Sequence, residues 1–256
     1  MRTARPFTPD SRAPRLARAL AGDRTELFTE AVGAPPPVYG ERWVHAERAD
    51  YRAFEPGRSK LAAGIVRGWA GPIPGLGERW LYLGAATGTT ASHVADLVGP
   101  NGRVYAVERS PRPFARLLAL AERWSPLLPL LADARDPRTY LDRVPMVDGL
   151  YADIAQPDQI AIVRSNAELI LGGAAPSIIV ALKTASMGRD LSPADHLAAA
   201  ERELGRDVRL VPAVRLDPFH KGHFLIGGTL GPGAAAPSSR RPVRLSRAPR
   251  PGRRRS

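Results

Sequence analysis

From residue 80 onward the chain repeats one unit, a short apolar run, a polar loop and an amphipathic stretch. "RWLYLGA" precedes "TTASHVADLV", which Gly99-Pro100 closes. "GRVYAVE" precedes "PFARLLALAERW", and "LLPLLAD" follows as a short apolar run. "MVDGLYAD" leads into a helix near 157–171, and "PSIIVALK" into one near 192–204. Strands without an outward polar face, alternating with amphipathic helices, require a mostly parallel sheet covered on both sides. "DVRLVPAVRL" and "HFLIGGTL" read as a closing antiparallel pair. The expectation is an α/β domain over residues 57–230, with ligands outside the carboxyl ends of its strands where strand order reverses.

The flanks have another character. In residues 25–56, "VYGERWVHAERADYRAFEP" alternates aromatics and valines with polar residues, which predicts a small antiparallel β unit; "GAPPPV" stands where a strand would be expected. "RSKLAAGIVRGW" then reads as a helix stopped by "AGPIPGLG". Residues 1–24 carry six Arg against two Asp, and residues 231–256 carry eight Arg and no acid. The net charge of +12 therefore belongs to the ends, and the body between them is balanced. The head reads as disordered, although "RLARALAG" could make a short helix, and the Pro/Gly/Ser/Arg tail reads as disordered. Basic ends suit a polyanion such as RNA, or record an arginine-rich composition. There is no cysteine, which excludes disulfides, thiolate metal sites and cysteine nucleophiles. No apolar run reaches the roughly 18 residues of a membrane span, and the first residues lack an apolar signal core, so a cytoplasmic protein is expected.

Polar residues gather after the strands. "GAATGTT", residues 84–90, has glycines that let a backbone approach a ligand, followed by a helix with free N–H groups. Glu108 follows the second strand and is placed to accept both hydroxyls of an adenosine ribose. Asp133-Ala134 follows the third, "ADIAQPDQ" the fourth and Lys183 the fifth. Taken singly these signals are ambiguous. The loop would also suit a dinucleotide, Asp133 a helix cap, Asp153 a cap or a catalyst, and Lys183 a side chain reaching solvent from a strand end.

Lysine usage narrows the choice. Of 37 basic residues only Lys60, Lys183 and Lys221 are lysine. A lysine can lose its proton when desolvated or set near another cation, and an arginine effectively cannot. An arginine-rich chain that keeps a lysine at the end of a buried strand poses the question of what it does there, and proton chemistry is one answer beside reaching solvent.

"YLGAATGTTASHVADLVGPNGRVYAVE", "DAR", "ADIAQPDQ", "SIIVALKTAS" and "GRSKLAAGI" together resemble the fibrillarin family over roughly residues 38–230. "YGER" and "DPFHKGHFLIGG" fit the same pattern. The resemblance implies a class I S-adenosylmethionine-dependent methyltransferase, a Rossmann-like fold with a seven-stranded, mostly parallel sheet and a small N-terminal β-rich extension. It implies 2′-O-methylation of RNA ribose in rRNA or tRNA, guided by box C/D RNA alongside a Nop-type scaffold and a kink-turn-binding protein. By the same resemblance the catalytic set is Lys60, Asp153, Lys183 and His223, with Asp153 orienting Lys183. The S-adenosylmethionine set is Gly84, Ala85, Thr89, Thr90, Glu108, Arg109, Asp133, Ala134, Asp153 and Gln156. Arg109 stands where the family usually has an aromatic residue, and His220 and Gly222 where it has acidic ones. No metal is implied. The other readings are a guide-independent methyltransferase on another substrate and a non-catalytic RNA-binding scaffold.

Overall fold

In a computed structural model of the chain, the described residues are 7–231 without 22–23, 47–48, 174 and 189. The N-terminal part is a five-stranded antiparallel sheet of β1 (Thr8–Asp10), β2 (Ala13–Ala21), β3 (Arg24–Glu30), β4 (Trp43–Ala46) and β5 (Ala49–Ala53), in the order β1-β2-β3-β5-β4. This corrects the expected boundary: residues 8–10 and 13–21 are strands joined by a turn, neither disordered nor helical, and the β unit begins well before residue 25. The physical reason lies in partners that local composition does not reveal. Asp10 pairs with both Arg12 and Arg18, and Arg15 reaches Glu30 at 2.8 Å and the carbonyl of Asp96 at 2.7 Å. Burial alone would raise the Asp10 pKa, but Arg12 and Arg18 outweigh it and hold it at about 2. Those arginines are thus committed to the fold. The tail from residue 232 lies outside the described residues.

After this sheet comes α1 (Lys60–Val66), capped by Ser59, and then the repeating unit. It contains β6 (Arg79–Leu83), α2 (Thr89–Val98), β7 (Arg103–Glu108), α3 (Pro111–Ala121), β8 (Leu127–Leu131), β9 (Gly149–Ala152) and α4 (Gln159–Ile170). β10 (Ser177–Lys183), α5 (Pro193–Leu204), β11 (Val208–Leu210), β12 (Val214–Arg215) and β13 (His223–Leu230) complete it. The order is β11-β13-β10-β9-β6-β7-β8, with β12 also paired to β13. β10, β9, β6, β7 and β8 run parallel and β13 antiparallel to β10. The expected seven strands gain an eighth because "DVRLVPAVRL" splits into β11 and β12, both against β13.

Each central strand is apolar on both faces and serves two cores. Trp80, Tyr82, Ile179 and Ala181 face the core shared with α1, α2 and the N-terminal elements. Leu81, Leu83, Ile178, Val180 and Leu182 face the core under α4 and α5. Period-2 alternation is therefore intact, though hidden in the sequence by burial on both sides. Gly64 of α1 sits so close to β13 that a Cβ would strike Leu225, which seats the helix that begins with Lys60. Among the described residues no helix is long and apolar enough to cross a membrane.

Candidate active site

β6 is flanked by β7 on one side and β9 on the other, so the strand order reverses there. Gly84 leaves β6 with φ +80, and a Cβ on it would stand 2.5 Å from the carbonyl oxygen of Asp153. Only glycine lets the two strand ends approach this closely. Ala86 lies in the left-handed region at φ 48, a conformation of order 1–3 kcal/mol uphill for a residue with a side chain. The Glu108 carboxylate holds that loop: Oε2 accepts from the Ala86 N–H at 3.0 Å, and Oε1 from the Ser110 N–H at 2.7 Å.

Gly84, Glu108, Arg109, Asp133, Ala134 and Gln156 line one small recess across the ends of β6, β7 and β8. Six residues singled out in the sequence thus meet at one place. Four others, Asp153 among them, do not line it. Ala85 is buried, Thr89 opens α2, and the Thr90 hydroxyl donates to Ser59 Oγ at 3.0 Å. Arg109 forms an exposed ion pair with Asp133 at 3.6 Å. Arg135 ties down the far side, donating to Gln156 Oε1 at 2.7 Å and to both oxygens of Asp158. A larger cavity of about 420 Å³ lies at the opposite ends of β10 and β13, lined by Arg164, Asp207 and Leu230. None of the strand-end residues reaches it, so it is set aside as a reaction site.

Lys60 Nζ meets both oxygens of Asp153 at 2.9 Å, and each side chain is about one-fifth exposed, 21% and 22%. Asp153 follows β9, and its N–H donates to the Leu83 carbonyl. The carboxylate expected to orient Lys183 is thus engaged by Lys60. Lys183 ends β10 and is the cross-strand partner of His223. Its ammonium makes no hydrogen bond or ion pair with a described residue.

His223 hydrogen-bonds the Lys221 carbonyl at 2.9 Å, and His220 the Pro56 carbonyl at 2.8 Å. Burial pushes both histidines below their ordinary pKa; the carbonyls of Lys221 and Pro56 oppose this, and the Lys60 charge adds to it. Gln159 was not anticipated, although it is the last residue of "ADIAQPDQ". It is fully buried, with its side-chain amide on the Lys183 backbone.

A parallel-cored sheet with this N-terminal extension, and with glycine, acid and lysine at its strand ends, is the fold of S-adenosylmethionine-dependent methyltransferases. The family described as Fibrillarin matches residues 17–231. A "Fibrillarin-like rRNA/tRNA 2′-O-methyltransferase" of Staphylothermus marinus is 40% identical over 208 residues, covering 81% of this chain and 88% of that one. The crystal structure of Aeropyrum pernix fibrillarin with natively bound S-adenosyl-L-methionine superposes with TM-score 0.78 at 36% identity, covering 87% and 97% of the two chains. The fibrillarin of a fibrillarin/Nop5p complex superposes with TM-score 0.70 at 38% identity, covering 79% and 92%. This chain belongs to the fibrillarin family and is a methyltransferase.

Proposed function

We propose that this chain binds S-adenosylmethionine in the recess at the strand ends and methylates the 2′-hydroxyl of ribose in rRNA or tRNA. The observation that carries the reading is the convergence of the Lys60–Asp153 pair, Lys183 and His223 beside that recess. Membership of a family whose relatives carry this activity in their names supports it.

The recess fits the cofactor's chemistry. Glu108 offers an acid to ribose hydroxyls, Asp133 and Ala134 border the adenine end, and Gly84 leaves room beside the backbone. Arg109 presents a planar guanidinium where a ring would stack. Ala85, Thr89 and Thr90 support the loop and helix start around the methionine end, and Gln156 and Asp153 flank the amino-acid and methyl region. When bound, the cofactor supplies an electrophilic methyl group on a positive sulfur.

A ribose hydroxyl is a poor nucleophile until its proton is leaving. Lys183, free of side-chain partners among the described residues, acts as the neutral amine, polarising the hydroxyl and taking that proton, a contribution of roughly 10²–10⁴-fold for a placed base. Lys60 and Asp153 fix each other, so the negative oxygen formed during attack meets a cation that is already oriented. His223, opposite Lys183, completes the polar wall. Positioning of the hydroxyl in line with the methyl group supplies much of the remaining rate.

Target choice rests with a box C/D guide RNA, a Nop-type scaffold and a kink-turn-binding protein. The scaffold is supported by the relative solved with Nop5p. The proposed reaction takes place in the cytoplasm. The test is a transcriptome-wide map of ribose 2′-O-methylation with wild type, a deletion and Lys183→Arg. Sites lost in both mutants support the activity and the role of Lys183, because arginine keeps the charge but not the proton exchange. Sites lost only on deletion remove Lys183 from the role of base. An unchanged map overturns the proposed activity on cellular RNA.

A further inference from the structure

β10 continues past its parallel neighbour. β9 pairs with it from Gly149–Ser177 to Ala152–Val180 and then turns away into the loop that carries Asp153. On the other edge β13 stays paired down to Lys183–His223. The last residues of β10 therefore lack a strand on the β9 side, where the sheet opens into the cleft. Backbone groups left without a partner in such a place are costly and their conformation is loosely held.

Gln159, the first residue of α4, takes the place of the missing strand. Its Nε2 donates to the Lys183 carbonyl at 3.2 Å, and its Oε1 accepts from the Lys183 N–H at 3.2 Å. A primary amide offers one donor face and one acceptor face in a plane, as a peptide unit does. The side chain is 0% exposed, so water does not compete for these bonds. Because Gln159 takes both backbone groups of Lys183, the Lys183–His223 pair is a non-hydrogen-bonded one, the kind in which opposed side chains stand closer. The same short segment is fixed from the recess side, where Arg135 holds Gln156 and Asp158.

We propose that Gln159 is a positioning residue for methyl transfer. It substitutes for a strand, so β9 and β10 can diverge to admit substrate while Lys183 stays locked at the sheet end beside His223. The inference rests on the proposed role of Lys183. It adds that the lysine's placement depends on a side-chain amide from the helix that follows Gln156. Glutamate would not serve, since an ionised carboxylate has no proton to give the Lys183 carbonyl.

The test uses Gln159→Met, which keeps length and burial, and Gln159→Glu, which keeps shape, in the full chain. Amide hydrogen exchange at Lys183 reads the clamp without reference to any reaction. Single-turnover methyl transfer by the complex isolated from its host reads the consequence, with dissociation constants for S-adenosylmethionine and substrate RNA measured alongside. Gln159→Met should speed exchange at Lys183, whereas Gln159→Glu keeps an acceptor for that N–H and loses only the donor to the carbonyl. Both variants should lower the single-turnover rate ~10–100-fold, the scale expected for a misplaced group, with both dissociation constants within about twofold. Unchanged exchange at Lys183 in Q159M, with the variant folded and binding cofactor, overturns the clamp. Faster exchange with a rate within about threefold of wild type overturns its role in positioning, as does a parallel loss of rate and of both affinities. If the wild-type complex methylates no ribose, the proposed function fails instead, and the exchange measurement still decides whether Gln159 holds Lys183.

Discussion

Two sets of charges join distant parts of this chain, and they are built oppositely. Where the N-terminal sheet meets α2, Arg52 is fully buried between Glu41 and Asp96, at 2.9 Å and 2.7 Å. Its third nitrogen donates to Ser92, and its Cζ lies 4.7 Å from the Trp124 ring centroid. Asp96 also accepts from Thr29, from Trp124 and from the N–H of Val32. Buried charges are tolerable only when almost every donor and acceptor is matched, and here they are. In the Lys60–Asp153 pair one ammonium meets both carboxylate oxygens, and the pair stays partly open to solvent. The sealed set has spent its bonding capacity on holding the N-terminal sheet to α2. The open pair keeps capacity for something that arrives.

A crossed pair of substitutions separates the two sets of charges. Arg52→Met strands two buried carboxylates and should cost about 3–5 kcal/mol. At roughly 2–4 °C per kcal/mol for a domain of this size, the melting temperature should fall by about 10 °C. Lys60→Met removes a partly exposed partner and should cost less than about 1 kcal/mol, yet should reduce methyl transfer at least about tenfold. Thermal melts and single-turnover rates on both variants decide the matter. Equal losses of stability would erase the distinction between the two sets.

Acid should reach the sealed set through its titratable members. His93, fully buried in this set with its Nδ1 2.8 Å from the Thr29 hydroxyl, is pushed by burial well below its ordinary pKa of 6.5, and the Arg52 charge pushes the same way. The unfolded chain protonates this ring near 6.5 while the folded chain resists. His93 therefore contributes stability above that pH, and the contribution shrinks as pH falls below it. Burial alone would raise Glu41, but the N–H groups of Tyr39 and Val38, with Arg52, hold it below its ordinary 4.5. Its contribution is present above 4.5 and is lost as pH falls through the lowered value. Melting temperature measured from pH 8 to 4 should decline first below about 6.5 and then again in the carboxylate range. His93→Gln should flatten the first decline. A first decline of full size in that variant would assign it to His220 and His223, whose pKa values burial also lowers.

Much of this was legible in the sequence. The apolar runs placed the core strands, because parallel strands buried on both faces leave an unmistakable pattern. The residues after them placed most of the recess, since a sheet of this type puts its strand ends at one edge. What escaped reading was set by contacts distant in sequence. "RLARALAG" looked like a loose basic head because the partners of its arginines, Asp10 aside, lie at Glu30 and Asp96. Asp153 was expected beside Lys183 and is held by Lys60, 93 positions away. Gln159 looked like one more residue of a helix start, and only the divergence of β9 from β10 gives it a task.

Arg109 extends the comparison to its exposed end and carries the smallest expected effect. Its ion pair with Asp133 spans 3.6 Å, with side chains 57% and 45% exposed. Pairs of this kind are worth little and fade in salt. If Arg109 acts only through that charge, Arg109→Ala should weaken S-adenosylmethionine binding less than about fivefold. Calorimetric titrations at low ionic strength and in about 0.5 M salt should then show the difference from wild type disappear. A guanidinium stacked on the adenine would behave otherwise, because stacking depends on contact area and polarisability more than on net charge. Such a residue would lose tenfold or more on truncation and keep that loss in high salt. That result would move Arg109 from the lip of the recess to its recognition surface, and the pairing with Asp133 would become the device that holds the plane ready.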